Sequence, residues 1–306
     1  MKKAFVITID TESDNQWNSQ HQQSTQNARF IPRFQELCEK YRLKPVYLVD
    51  YSMAQDAFLV EYLRDCLERG TCEVGMHLHA WDTPPRHEYD SCSYARPYLI
   101  EYPIPVMKDK VQRITDLLEN QFQRTIVSHR AGRWAMNDQY FDILSACGYK
   151  VDCSFTPGVN WSKSQGARNG GSDYSRVKSE AHYVGSDHVI LEVPMTIRRM
   201  HVLYPPKTPI DALKESAKFI LGRKQWLRPA LSDNNEMLSI LNHNKLDFAE
   251  FMLHSSEMMP GGSPYFQTDE DIEALYRKLD ELFVSIGEKY EGKTLREYYD
   301  SRKKHT

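Results

Sequence analysis

Two histidines, His77 and His79, lie two residues apart in a segment that has the pattern of a β-strand end. Alternate side chains of a strand point to the same side, so both imidazole rings are expected to share one face. Neutral imidazoles at this spacing can bind one divalent cation when a carboxylate elsewhere completes the site. Asp10 and Glu12 follow the apolar segment 3–9 at the same spacing. Two acids and two histidines together predict metal-assisted hydrolysis.

The elements that must position these residues alternate between strand-like and helix-like segments, which is typical of parallel βα units. Seven segments are predicted as strands, namely residues 3–9, 44–50, a segment from about 72 to the histidine pair, 125–129, 149–153, 188–193 and 248–253. Helical periodicity covers residues 28–41, 58–69, 106–122, 137–147 and 269–286. The alternation predicts an α/β fold, an incomplete TIM-like (β/α)7 barrel in a single domain over residues 1–306.

Polar residues collect where the predicted strands end. Seven such residues fall at or just after a strand end: Asp10, Glu12, His77, His79, Arg130, Asp152 and His254. Barrels of this type build their active sites at the C-terminal ends of their strands. One polar residue at such a position is more often solvated or satisfied in the core, but seven at equivalent positions favour a common site.

Composition and charge narrow the classes of function. Lys and Arg total 39 against 42 for Asp and Glu, a formal net charge of -3, so nothing predicts a nucleic-acid partner. The six cysteines form no C-x-x-C pair, which argues against a disulfide framework and a thiolate zinc site. The N-terminal apolar run is too short for a signal peptide, and no window has the length of a membrane span. We therefore expect a cytoplasmic protein.

Five segments, in order along the chain, are similar to the motifs of a known enzyme family. They are Ile9-Asp10-Thr11-Glu12, Glu73-Val74-Gly75-Met76-His77, Arg130-Ala131-Gly132-Arg133-Trp134, Asp152-Cys153-Ser154-Phe155 and Phe251-Met252-Leu253-His254-Ser255. With these motifs the chain resembles the polysaccharide deacetylases of the NodB-homology class, carbohydrate esterase family four. Segments 77–85 and 258–262 resemble the branch encoded in bacterial surface-polysaccharide (O-antigen) gene clusters.

The resemblance implies catalytic roles for four residues. Asp10 would be the general base that deprotonates the attacking water, and Arg130 would orient it. His254 would be the general acid that protonates the leaving sugar amine. Asp152 would hold the other ring nitrogen of His254.

The resemblance also implies a metal site formed by Glu12, His77 and His79. The cofactor would be one divalent metal, zinc in the first place, with cobalt, nickel, manganese and iron as alternatives. Members of the family usually carry adjacent aspartates in the first motif and a second histidine four residues after the first. Trp81 occupies that later position here. His79 is therefore either a metal ligand or a hydrogen-bonding residue of the barrel rim.

Four residues on the loops near the strand ends are candidate contacts for a sugar: Trp81, Arg133, Trp134 and Phe155. Aromatic rings can stack on sugar rings, but packing roles are equally expected for them. The remaining histidines have no partner motif. Among these, His129 should point to the opposite side of its strand from Arg130 and be satisfied in the core.

The expected function is removal of an N-acetyl group from an amino sugar within a surface-polysaccharide precursor. The expected partner is an amino-sugar-containing glycan or glycan precursor, and the oligomeric state is left open. Two alternatives remain at this point. One is an amidase that acts on a small non-sugar amide or cyclic imide, and the other is a catalytically inactive, glycan-binding member of the family.

Overall fold

The computed structural model describes residues 2–14, 16, 23–92, 95–201, 220–287 and 289–303. In this part of the chain the strands are β1 (Lys3–Thr11), β2 (Pro45–Val49), β3 (Glu73–Leu78), β4 (Ser128–Ala131), β5 (Val151–Asp152), β6 (His182–Val184), β7 (Ile190–Glu192), β8 (Ile197–Met200), β9 (Arg223–Trp226), β10 (Phe248–His254) and β11 (Tyr290–Gly292). The helices are α1 (Ile31–Lys40), α2 (Ala57–Arg69), α3 (Ile104–Phe122), α4 (Asp138–Ala146), α5 (Asn234–Asn242), α6 (Asp269–Ile286) and α7 (Leu295–Lys303).

The central feature is a nine-stranded, mostly parallel sheet that curls into an incomplete barrel. Its strand order is β10-β1-β2-β3-β4-β5-β7-β6, and β11 pairs with the first residues of β1. Within the described residues of this sheet, β6–β7 is the one antiparallel pair. All seven predicted strands lie in this sheet, and all five predicted helices are present. The expected α/β class with an incomplete (β/α)7 barrel is therefore confirmed.

The burial of β1 follows the two-residue period of a strand. Phe5, Ile7 and Ile9 pack in the core between the sheet and the helices. Ala4 and Val6 belong to a second cluster inside the barrel, so Thr8 and Asp10 share their side. Both faces of β1 are therefore buried, one against the helices and one inside the barrel. This burial explains why β1 is mostly apolar until it reaches the site.

Local signals define the helix ends. Asp56 caps α2 by accepting a hydrogen bond from the backbone N–H of Leu59. Gly70 ends α2 in the left-handed conformation at φ 67°, as its position in the sequence predicts. Thr268 and Asp271 form a capping box at the start of α6. None of the helices in the described residues combines the length and apolar character needed to cross a membrane.

The structure differs from the predicted alternation after β5. Within residues 153–181 the chain has no helix and contains two isolated bridges, Asn160 with Asp173 and Gln165 with Gly170. The antiparallel pair of β8 and β9 was not predicted, because Ile197–Met200 and Arg223–Trp226 are rich in basic residues and lack apolar alternation. Leu227, directly after β9, accepts a hydrogen bond from the backbone N–H of Met252 and so joins this pair of strands to β10.

Gly75 lies on β3 where a larger residue does not fit. A Cβ atom there would lie 2.4 Å from Ser128 Oγ and 2.8 Å from Ser128 O. Gly75→Ala should lower the free energy of unfolding by about 1–3 kcal/mol through overpacking, measured by urea denaturation. Gly287→Ala is the control, because its nearest atom would be 3.9 Å away, and it should stay within about 0.5 kcal/mol. Equal stability of both variants would contradict the packing described for β3.

Candidate active site

Strand register brings together side chains that are far apart in the sequence. Asp10 on β1 pairs with His254 on β10, and His77 on β3 pairs with Arg130 on β4. All four residues stand at or near the C-terminal ends of their parallel strands. The first three, with Glu12 and His79, line one cavity of about 630 Å³. The predicted location of the site at these strand ends agrees with this cavity.

Glu12, His77 and His79 form a compact group with metal-ligand character. Glu12 Oε2 lies 3.5 Å from His77 Nε2 and 3.2 Å from His79 Nε2. One ligand atom from each residue lies within 4.8 Å of the other two, and all three side chains are buried. One carboxylate oxygen and two imidazole nitrogens are a donor set that suits zinc and its neighbours among the divalent transition metals.

The surroundings of these residues prepare them for a cation. The backbone carbonyl of Arg130 lies 3.0 Å from His77 Nδ1, so this nitrogen donates and the lone pair of Nε2 faces Glu12. Burial raises the pKa of Glu12, but His254, His77 and His79 lower it by more, so the carboxyl stays ionised. The Nδ1 atom of His79 is buried and has no hydrogen-bond partner in the part of the chain that the structure describes. The three residues therefore fit a divalent metal.

The candidate base, Asp10, is held by Arg130. Asp10 Oδ1 accepts a hydrogen bond of 2.6 Å from Arg130 Nη1, while Oδ2 lies 3.9 Å from His77 Nε2 and 3.7 Å from His254 Nε2. Burial raises the pKa of Asp10, but Arg130 and the neighbouring imidazoles lower it below its usual range. Asp10 is thus an oriented, ionised carboxylate with one oxygen facing the metal ligands.

Arg130 is fully buried, and all three nitrogens of its guanidinium donate hydrogen bonds. Besides Asp10, it donates to Thr8 Oγ1 at 2.8 Å, to the carbonyl oxygen of Cys153 at 3.0 Å and to the carboxylate of Glu250. Sequence reasoning missed Glu250, although a glutamate in the middle of the apolar strand β10 is a readable signal. A buried carboxylate in such a strand needs a cationic partner.

The surroundings of His254 differ from the prediction. Arg228 Nη2 lies 2.9 Å from His254 Nδ1, and Glu257 Oε1 lies 3.6 Å from the same nitrogen. Glu257 also accepts from Arg228 at 2.6 Å and from the backbone N–H of His254 at 3.0 Å. Burial raises the pKa of Glu257, while Arg228 and His254 lower it to about 2. Since guanidinium can only donate, Nδ1 accepts here and the proton of the neutral ring lies on Nε2.

Asp152 does not occupy the predicted place beside His254. Its Oδ1 lies 2.6 Å from His129 Nδ1 and accepts from Ser154 Oγ at 2.8 Å. The reason is register, because Asp152 pairs with His129, one residue before Arg130 on β4. His129 is completely buried and also contacts the hydroxyl of Tyr140 at 2.8 Å, so its predicted role in the core agrees with the structure.

Aromatic side chains form one wall of the cavity. Trp134 and Trp161 stack with ring centroids 5.3 Å apart at 16°, and Trp226 lies 6.0 Å from Trp134. All three line the cavity. Trp81 also lines it and stacks on His79 at 4.4 Å and 16°. This arrangement offers flat apolar faces directly beside polar groups, which suits a sugar ring.

The other two candidate sugar contacts have different positions. Arg133 lines the cavity, where it donates to the carbonyl oxygens of Arg96 and Gln165. Phe155 is not among the residues that line it. Its ring packs 5.7 Å from Phe141 and 4.7 Å from Tyr174, because the chain turns away from the site after β5. Sequence reasoning placed Phe155 at the site from its motif alone.

Gly132 allows β4 and β3 to approach each other at the metal ligands. A Cβ atom on Gly132 would lie 2.4 Å from His79 Cδ2 and 2.6 Å from the carbonyl oxygen of Leu78. The next two residues, Arg133 and Trp134, have φ values of 57° and 54°, which is uncommon for non-glycine residues. This left-handed turn directs both side chains to the cavity, and the strain of such residues is typical of functional sites.

Comparison with solved structures shows the fold. A Mycobacterium smegmatis protein assigned as a polysaccharide deacetylase aligns over 100% of this chain and 92% of its own length, with 12% identity and a TM-score of 0.56. A 4-alpha-glucanotransferase from Thermococcus litoralis aligns over 99% of this chain at 12% identity and a TM-score of 0.57, and the chain spans 40% of that protein. No protein-family model and no curated protein matches the sequence. The shared fold hosts different reactions, so function must be argued from the site.

The group of Glu12, His77 and His79 predicts a measurable metal stoichiometry. Purified protein should hold about one equivalent of a divalent transition metal, and His77→Ala and His79→Ala should each lose most of it. Elemental analysis checks this. His243→Ala is the matched control, because His243 is exposed at the end of α5 and should leave the metal content unchanged. Full metal content in His79→Ala would assign His79 to the rim instead.

The close approach at Gly132 predicts a second effect on the metal. Gly132→Ala should weaken metal binding about 10- to 100-fold, because the new methyl group displaces the ring of His79. Titration of the metal-free protein with zinc measures the affinity. Gly75→Ala serves as a comparison, since it strains the barrel without touching His79. Unchanged zinc affinity in Gly132→Ala, together with weaker affinity in Gly75→Ala, would contradict this account.

Proposed function

We propose that this protein belongs to the polysaccharide deacetylases of the NodB-homology class and removes an N-acetyl group from an amino sugar in a surface-polysaccharide precursor. The observation that carries the proposal is the convergence of an Arg130-bound carboxylate, Asp10, with the group of Glu12, His77 and His79. The likeness in fold to the Mycobacterium smegmatis structure agrees with it. The restriction to a surface-polysaccharide precursor rests on the resemblance of segments 77–85 and 258–262.

Asp10 is suited to accept the proton of the attacking water. Its carboxylate is ionised and carries Arg130 on one oxygen, which leaves the other free to accept a proton. Arg130 keeps that second oxygen directed to the side where Glu12 and His77 lie. A metal held by Glu12, His77 and His79 would supply Lewis acidity, polarising the acetyl carbonyl and acidifying the water.

His254 is suited to protonate the leaving nitrogen. Its Nε2 faces the cavity 3.7 Å from Asp10 Oδ2 and 3.9 Å from Glu12 Oε1. His254 acts as the acid in its imidazolium form, in which Glu257 Oε1, 3.6 Å from Nδ1, can accept from Nδ1–H while Nε2–H faces the side where the substrate enters. In the overall reaction the water oxygen bonds to the acetyl carbon, Asp10 takes the water proton and the carbon–nitrogen bond breaks. The amine leaves with the Nε2 proton of the imidazolium, and the proton held by Asp10 then restores that imidazolium.

The wall of tryptophans is suited to hold the sugar. Trp134 and Trp161 present stacked rings, and Trp81, which also lines the cavity, stacks on His79. The cavity of about 630 Å³ has room for more than one sugar ring, as small-molecule sites usually span roughly 300–1,000 Å³. An amino sugar stacked there would place its acetamido group near the candidate catalytic residues.

Acetate release from N-acetylated sugars tests the proposal. Zinc- or cobalt-loaded protein should release acetate from chitooligosaccharides or from carrier-linked N-acetylamino sugars. Asp10→Asn and His254→Ala should each lower kcat about 10²- to 10⁴-fold, the usual contribution of a positioned acid or base. Asp109→Asn is the matched control, because Asp109 is exposed on α3.

Three results would contradict the proposal or its mechanism. Acetate release that is unchanged in both variants would reject the assigned base and acid. Opening of cyclic imides without acetate release from any sugar would select the amidase instead. Glycan binding with neither bound metal nor turnover would select the inactive binding protein.

A further inference from the structure

Three arginines, Arg96, Arg133 and Arg228, line the cavity together with the candidate catalytic residues. Arg228 is neutralised by Glu257, to which Nη2 donates at 2.6 Å. Within the described residues Arg133 donates to two backbone carbonyl oxygens, and its guanidinium lies 3.9 Å from the ring centre of Tyr98. The positive charges of Arg96 and Arg133 are therefore not accounted for by an ion pair of this kind.

Arg96 stands at the outer end of a stack that leads to the metal ligands. Its guanidinium lies 5.3 Å from the ring centre of Trp81, and Trp81 stacks on His79 at 4.4 Å. In the described part of the chain no carboxylate lies within salt-bridge distance of Arg96. The nearby Asp82 accepts hydrogen bonds of 3.0 and 2.8 Å from Ser52 Oγ. Arg96 is thus a partly buried cation that lines the cavity and, among the residues described, forms no ion pair.

The carboxylates that line the cavity already interact with other side chains. Asp10 pairs with Arg130, and Glu12 lies between the imidazoles of His77 and His79. A bound divalent metal would neutralise these carboxylates further. Arg96 and Arg133 feel the charges of Asp82 and Glu101, respectively, but within the described residues neither arginine forms an ion pair with them. Both guanidinium groups therefore keep hydrogen-bonding capacity at the cavity. Guanidinium groups bind phosphate and carboxylate by paired, charge-assisted hydrogen bonds.

Two indole N–H groups in the cavity wall could also bind acceptor oxygens of a ligand. The indole N–H groups of Trp81 and Trp134 are buried and find no acceptor among the described residues, and both residues line the cavity. A buried donor without an acceptor is costly. A ligand rich in acceptor oxygens would satisfy donors that folding alone leaves unpaired.

We propose that the substrate carries an anionic group, a phosphate or a carboxylate, next to the acetamido sugar, and that Arg96 receives it. This inference rests on the proposed deacetylase function and narrows its substrate class. Arg133 adds positive charge at the same mouth, but its hydrogen bonds tie the segment around Arg96 to Gln165. Arg96 is therefore the specificity-determining residue, and a neutral chitin fragment is a poorer substrate than an anionic one.

Kinetics on three acetylated substrates test the proposal. The substrates are a neutral chitooligosaccharide, a nucleotide-linked N-acetylglucosamine, and an oligosaccharide that alternates N-acetylglucosamine with a uronic acid. We define the preference as kcat/KM for the better anionic substrate divided by kcat/KM for the neutral one. This ratio should exceed one and fall at high salt. In Arg96→Gln it should drop about tenfold, as expected for the loss of one charge-assisted hydrogen bond. The ratio removes any general loss of activity from the comparison.

Two further variants sharpen the result. Arg96→Lys keeps the charge and should retain part of the preference. Arg113→Gln removes an exposed arginine on α3 and should leave the ratio unchanged. Preference for the nucleotide-linked sugar identifies a phosphate, and preference for the uronate oligosaccharide identifies a carboxylate. An equal ratio in the wild type and in Arg96→Gln would overturn the inference while leaving the deacetylase function intact.

A binding measurement keeps the inference separate from the proposed function. If no substrate releases acetate, the deacetylase function fails, and tryptophan fluorescence titration then tests Arg96 directly. N-acetylglucosamine 1-phosphate should bind more tightly than neutral N-acetylglucosamine, and Arg96→Gln should weaken the phosphate form about tenfold. Binding of the two sugars with equal affinity, or absence of binding to the wild type, would overturn the anionic subsite.

Discussion

The guanidinium of Arg130 is the group on which the geometry of the site depends. It lies inside the barrel with no exposed surface and donates to residues of β1 and β10 and to the chain after β5. Loss of one partner from a buried ion pair leaves an uncompensated charge and typically costs about 3–5 kcal/mol. The side chains of this buried network therefore stabilise one another, and the network consists of Arg130, Asp10, Thr8 and Glu250. The residue that orients the candidate base also ties the strands together.

The same residue connects the base to the metal ligands through its backbone. The carbonyl oxygen of Arg130 faces His77 Nδ1, so the position of β4 determines which nitrogen of His77 is available to a cation. Gly132 then lets the chain pass directly against His79. The positions of the imidazoles on and after β3 therefore depend on β4 and on the residue that follows it. This dependence arises because parallel strands in register bring their C-terminal ends to one edge of the sheet.

The loops add what the barrel lacks. The strand ends supply acids and imidazoles, whereas Trp134, Trp161 and Trp226 come from connections after β4, after β5 and from the hairpin strand β9. The strand ends therefore supply the polar groups of the site, and these connections supply the shape and charge of the cavity. Arg96 belongs to the same outer layer and lines the cavity with these tryptophans.

From the sequence alone the seven barrel strands, five helices and the convergence of Asp10 with the two histidines could be predicted, because alternating side chains and parallel strands make these features local. The helices α5 and α7 and the strands β6, β8, β9 and β11 were not predicted. Only the tertiary structure decided the partner of His254. Asp152 lies one level deeper and pairs with His129, whereas the short turn after β10 returns Glu257 to the ring and holds Arg228 there. Such choices depend on register and depth in the barrel, since residues of similar charge and spacing can reach different neighbours.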